Sequence, residues 1–269
     1  MDGRVVEDLP GVRRVMPFLM RGRNESAVFF EQTLDLERAL PWLERFNEGR
    51  ARRAHLFHLV LGGLARTLHE HPKLNRYVVG RRVYQRDEVS ISFAMKPERS
   101  ERSALSVVKL VFSAEEPFAA LVDRVVSRIE EGRRGKKSGS DREADVLSRL
   151  PSPLLELGVR AFRALDAIGL APRAMLESDP MHASVFVANL GSLGMDTAFH
   201  HLYEYGDCPV FAVLGKIERA PVVVGDRVEA RTVARMRYTY DERIEDGFYA
   251  GRALARMKEL VEDPAAWAR

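Results

Sequence analysis

The C-terminal end of the chain restricts its possible folds more than any other part. CPVFAVLGKI, beginning at Cys208, reads as an apolar strand, and APVVVGDRVEARTVARMRYTYD reads as a hairpin that turns at Gly225–Asp226 into a long second strand. DERIEDG follows and crowds Asp241, Glu242, Glu245 and Asp246 into six residues. Then GFYAGRALARMKELVEDP forms an amphipathic helix with Ala250, Leu254, Met257 and Val261 on one face, stopped before Pro264. Asp246 directly precedes that helix, where its carboxylate can accept free backbone N–H groups. Glu245 would gain from the positive end of the helix dipole. Asp241 and Glu242 lie further back, at the strand end, where capping does not explain them.

Upstream, SAVFFEQTLDL (Ser26–Leu36) reads as a strand, LERALPWLERFNEG as a short helix closing at Gly49, and RAHLFHLVLGGLARTLHEHP as a buried helix. His55 and His58 on that helix are expected as core or boundary residues. RYVVGRRVYQ, EVSISFAMKP and ALSVVKLVFS follow as three strands, the last two divided by the charged turn ERSERS. PFAALVDRVVSRIEEG is an amphipathic helix, and RRGKKSGSDRE is a basic Gly/Ser loop, either a solvated connection or a contact for an anionic phosphate. A helical insert at about 142–180 carries Leu154, Leu157, Phe162, Leu165 and Ile168 at helical spacing. Such a stripe serves as core or subunit contact, or else roofs an acyl channel or lies on a membrane. ASVFVANLG is a strand ending in a glycine turn, and SLGMDTAFHHLYEYGD is irregular. Strands and helices mixed without regular β-α alternation predict an α+β domain over 26–264, preceded by a loose basic arm over 1–25.

A formal net charge of +3 gives no reason to expect nucleic acid. The single cysteine, Cys208, excludes an internal disulfide framework and fits a reducing cytoplasmic setting; at the head of an apolar strand it is a packing residue. No apolar run has the length of a membrane span, so any membrane contact would be peripheral. The seven histidines show no metal-ligand spacing.

DERIEDG before a helix ending ELVEDP resembles the D-H-R-x-x-D-G signature of dihydrolipoyl acyltransferases, the catalytic cores of 2-oxo-acid dehydrogenase complexes related to chloramphenicol acetyltransferase. VFVANLGSLGMD resembles that family's T-F-x-x-S-N-L-G-x-x-G-x-D stretch, and CPVFAVLGKIERAP its P-x-x-A-I-L-x-V-G segment. RAHLFHLVLGGLARTLHEHPKLNRY and EVSISFAMKP agree more diffusely. The resemblance implies a two-layer α+β sandwich, coenzyme A as acyl carrier, and a homotrimer with a channel at each subunit boundary that the signature loop enters. It also implies that Glu242 stands where the family has its basic histidine, and Ala188 where it has its oxyanion serine. Asp241, Arg243, Asp246 and Gly247 would brace the loop, while Ala188, Asn189, Gly191 and Ser192 would line the channel. His200 and His201 are candidate replacement bases beside Glu242. The lipoyl and subunit-binding modules are expected to be missing. Either the chain is a CoA-dependent acyltransferase with a divergent site, or it is a non-catalytic trimer used for binding or assembly.

Overall fold

The computed structural model describes residues 3–95, 106–134, 148–168 and 170–268. Its strands are β1 (Arg4–Val5), β2 (Ala27–Asp35), β3 (Arg76–Val79), β4 (Arg82–Gln85), β5 (Val89–Met95), β6 (Ser106–Phe112), β7 (Val185–Asn189), β8 (Val210–Val224) and β9 (Arg227–Asp241). Its helices are α1 (Gly11–Leu19), α2 (Ala39–Phe46), α3 (Leu56–Glu70), α4 (Phe118–Arg133), α5 (Ser152–Ala167), α6 (Arg173–Ser178) and α7 (Gly247–Glu262).

Six strands form the main sheet in the order β2-β9-β8-β7-β5-β6. β7 runs parallel to both β5 and β8, and the other pairs are antiparallel. The predicted turn at Gly225–Asp226 joins β8 to β9, with Gly225 at φ +59° as a tight hairpin requires. Side chains alternate across each strand. Val185 and Val187, with Val210, Ala212 and Leu214, join the large core that also takes in Leu254, Met257 and Val261 of α7 and much of α3. α3 and α7 approach closely at Gly63, where a Cβ would lie 3.1 Å from Val261, and the neighbouring Gly62 makes room for the Trp267 ring, which a Cβ there would meet at 2.6 Å. Phe186, Phe211 and Val213 point to the opposite face and form a smaller cluster with Leu202 and Cys208. The molecule is therefore layered α+β, as expected.

Two expectations need correction. RYVVGRRVYQ is a hairpin of two short strands rather than one strand, turning at Gly80 and Arg81, both with positive φ. It builds a separate three-stranded sheet, β1-β4-β3, and takes no place in the main one. The N-terminal arm is not loose, since it supplies β1 and α1, which packs on β4 and reaches the signature loop through Arg13. The ERSERS turn and most of RRGKKSGSDRE lie outside the described residues. In the insert, α5 leaves Leu154, Leu157, Leu165 and the following Ile168 exposed, while Phe162 is half-buried against His182 and Tyr205.

Candidate active site

Within DERIEDG, burial separates the acids by role. Asp241 is fully buried at the end of β9. Its carboxylate accepts from the Ser26 hydroxyl at 2.8 Å and takes Arg243 in a two-pronged ion pair, Nε at 2.8 Å and the far guanidinium nitrogen at 2.6 Å. Arg243 also donates to the carbonyls of Met20 and Arg21. A buried carboxylate with a bidentate arginine is one of the stronger polar anchors available to a loop. Asp246 caps α7 as expected and accepts from the Tyr249 backbone N–H at 2.9 Å. It remains exposed, with Arg13 at 3.8 Å. Glu245 has more specific partners than a helix dipole, pairing with Arg76 at 3.1 Å and Lys73 at 3.4 Å. Gly247 is the exposed first residue of α7.

This leaves Glu242. Its backbone is fixed, with the N–H donating to the Ser26 carbonyl and the carbonyl accepting from Arg13 at 2.7 Å. The side chain is half-buried, and its carboxylate has neither hydrogen bond nor ion pair among the described residues. The neighbouring Tyr240 hydroxyl is buried without a hydrogen-bond partner. Burial, and after it the Glu242 carboxylate, pushes that phenol up to about 12, so Tyr240 stays protonated.

Ala188 lies near the end of β7 on the same sheet face as Phe186, packed against the smaller cluster. Asn189 and Ser192 are engaged with each other: the Ser192 N–H donates to Asn189 Oδ1 at 3.1 Å, and its hydroxyl donates to the Asn189 carbonyl at 2.9 Å. Gly191 is required by contact, because a Cβ there would sit 2.3 Å from the Gly215 carbonyl oxygen, at the irregularity in β8. His200 stacks flat on Phe211, ring centres 3.9 Å apart, and so shares the Ala188 face. Its Nδ1 donates to the His201 carbonyl at 2.7 Å, which leaves Nε2 with a lone pair. Burial holds the His200 ring below its ordinary value, favouring the neutral form that accepts protons. His201 is exposed and donates through Nδ1 to Leu202.

The register measures how far apart these groups are. Ala188 pairs with Val213, and Val213 with Arg237. Glu242 is five residues beyond Arg237, or about 16 Å along the strand direction. One chain thus brings Ala188 and His200 to one region and puts Glu242 at the other end of the sheet. Cys208 is buried, its thiol pushed up to about 11 chiefly by burial, which makes it a packing residue. His58 is buried in α3, as expected. Among the described residues no group of three or more His, Cys, Asp or Glu could hold a metal ion, and no helix is long and apolar enough to cross a membrane.

Sequence reasoning missed a second polar centre. His182, just before β7, and Asp207, just before β8, are brought together because their strands are parallel neighbours. Nothing in the spacing of two residues so far apart signals this.

The fold is the chloramphenicol acetyltransferase-like fold of CoA-dependent acyltransferases. It is similar to a probable dihydrolipoamide acetyltransferase from Listeria monocytogenes 4b F2365, with 17% identity, TM-score 0.66, and 98% of this chain and 96% of that chain covered. It is similar to a truncated catalytic core of the 2-oxoacid dehydrogenase multienzyme complex from Thermoplasma acidophilum, with 16% identity, TM-score 0.59, and 97% and 99% covered. It is also similar to a chloramphenicol acetyltransferase, with 12% identity, TM-score 0.55, and 97% and 98% covered. Residues 168–269, the part that holds both motif segments, match the family model of the 2-oxoacid dehydrogenases acyltransferase (catalytic domain). No curated protein matches the chain.

Proposed function

We propose that the protein is a CoA-dependent acyltransferase with a divergent active site, in which Glu242 takes the proton of the acyl acceptor. The observation that carries this reading is the signature loop. Its frame, the Asp241–Arg243 pair and the Asp246 cap, is fully engaged, yet the Glu242 carboxylate between them has no partner. A carboxylate without partners in a water-excluded channel is open to accept a proton from an acceptor bound beside it. Acyl transfer then needs the acceptor proton to pass to Glu242 as the acceptor attacks the thioester carbonyl, and coenzyme A thiolate to leave. The separation of Glu242 from Ala188 within one chain supports a site completed across subunits, in a homotrimer. The neutral His200 on the Ala188 face is the alternative base.

With acetyl-CoA and longer acyl-CoA donors, E242Q is expected to lose about 10²–10⁴-fold in kcat/KM. If H200Q carries that loss instead, the base is His200. Turnover that neither change affects rejects both.

A second reading is favoured by Ala188, whose methyl group supplies no oxyanion donor. One such donor is typically worth about 10²–10³ in rate. In that reading the trimer binds a ligand, or assembles, without chemistry. Calorimetric binding of coenzyme A without turnover of any donor would support it.

A further inference from the structure

A cavity of about 590 Å³ opens on the sheet face away from α3, between the start of β5 and the insert helices α5 and α6. This is within the usual size range of small-molecule sites. Its buried wall is polar. His182 is 2% exposed and Ser90 is also 2% exposed; both His182 ring nitrogens and the Ser90 hydroxyl lack an aligned hydrogen-bond partner. His182 Nδ1 lies 3.1 Å from Asp207 and points its N–H toward that carboxylate, off the ideal line, so Nε2 is the ring atom left open to accept. Asp207 is in turn fixed by Arg86 at 2.6 Å. Burial acts to raise Asp207, but Arg86 and then His182 overcome it and hold the carboxyl below its usual range. Buried polar atoms without partners are costly, and a wall that presents several of them is suited to a polar ligand.

Charge decides which ligand. The cavity's two permanent cations are engaged: Arg86 by Asp207, and Lys109 by the carbonyls of Leu176 and Asp179. Four further carboxylates line the exposed side, on Asp87, Glu88, Asp166 and Glu177. None of the four has an ion-pair partner among the described residues. Asp166 is raised from its ordinary value, mainly by burial and also by the Asp207 carboxylate, with His182 and Arg23 acting against that rise without cancelling it. An anionic ligand would meet this excess of like charge, whereas a cation would relieve it.

We propose that this cavity binds a small organic cation of the alkylammonium class, its charge facing Asp166 and Glu177 and its N–H groups donating toward His182 and Ser90. The site is distinct from the signature loop, and nothing in the proposal requires acyl transfer.

Calorimetric titration of the full chain with 1,4-diaminobutane tests it, with 1,4-butanediol as the uncharged control. The diamine is expected to bind and the diol to bind at least about tenfold more weakly. D166N/E177Q, altered on the accessible side and checked for an unchanged melting curve, is expected to weaken the diamine by about tenfold or more. S90A, a smaller change on the buried wall, is expected to weaken it by less. An absence of heat with the diamine overturns the proposal. So does equal binding of diamine and diol, or a double variant that binds like the wild type.

Discussion

Asp241 and Asp246 belong to the same acidic cluster, yet their removal should have very different costs. Asp241 is buried and ion-paired, so D241N leaves Arg243 without its partner in a site with little access to water. Breaking a buried pair in this way is expected to cost about 3–5 kcal/mol. Asp246 is an exposed helix cap, and D246A should cost about 1 kcal/mol. Denaturant unfolding of the two variants measures the contrast, and equal losses would refute the division of roles. The sequence made the Asp246 cap legible because capping is local: the helix start and the acid are adjacent. It did not reveal Asp241's partners, because Ser26 comes from the far end of the chain and the Arg243 fork closes only once the loop has folded. The position of Glu245 before the helix likewise suggests only a dipole role, because its partners Lys73 and Arg76 lie in a distant turn and strand.

At the level of elements, α3 predicts a pH dependence. His58 is buried in its first turn, and its Nδ1 accepts the His55 backbone N–H at 3.0 Å while Nε2 has no partner. Burial, and after it the nearby His55, hold this ring down to about 4. In the unfolded chain His58 titrates near its ordinary 6.5. Between about pH 6.5 and 4 the unfolded state therefore binds the extra proton, so stability falls as the pH drops through that window. The contribution of this ring approaches about 3 kcal/mol at the acid end. Urea unfolding at pH 7 and pH 4.5 should show a smaller loss for H58Q than for the wild type, and an identical loss in both would refute the assignment. Element types were largely readable because alternation and helical spacing are strong in β2, β8, β9, α4 and α7. The β3–β4 hairpin was not readable, because its turn uses Arg81, a residue that seldom adopts positive φ. The partnering of His182 with Asp207 depends on the parallel β7–β8 pairing, and no local pattern encodes which strands become neighbours.

For the whole molecule, the register that separates Glu242 from Ala188 is the main constraint. If the motif halves meet, they meet between chains. Exposed apolar side chains at Phe29, Phe199, Leu193 and Met195, on and beside the sheet, fit such a contact. Sedimentation velocity should give a particle near three times the 30.4 kDa chain, and a monomer at micromolar concentration would contradict a shared site. The most direct measurement of the proposed divergence places serine at position 188 and histidine at position 242 together. It compares the wild type and the A188S/E242H variant for release of coenzyme A from acetyl-CoA in the presence of dihydrolipoamide. An intact acyl-transfer frame predicts that the variant gains about 10²-fold or more in rate. No gain, in a variant that folds and assembles like the wild type, would contradict it.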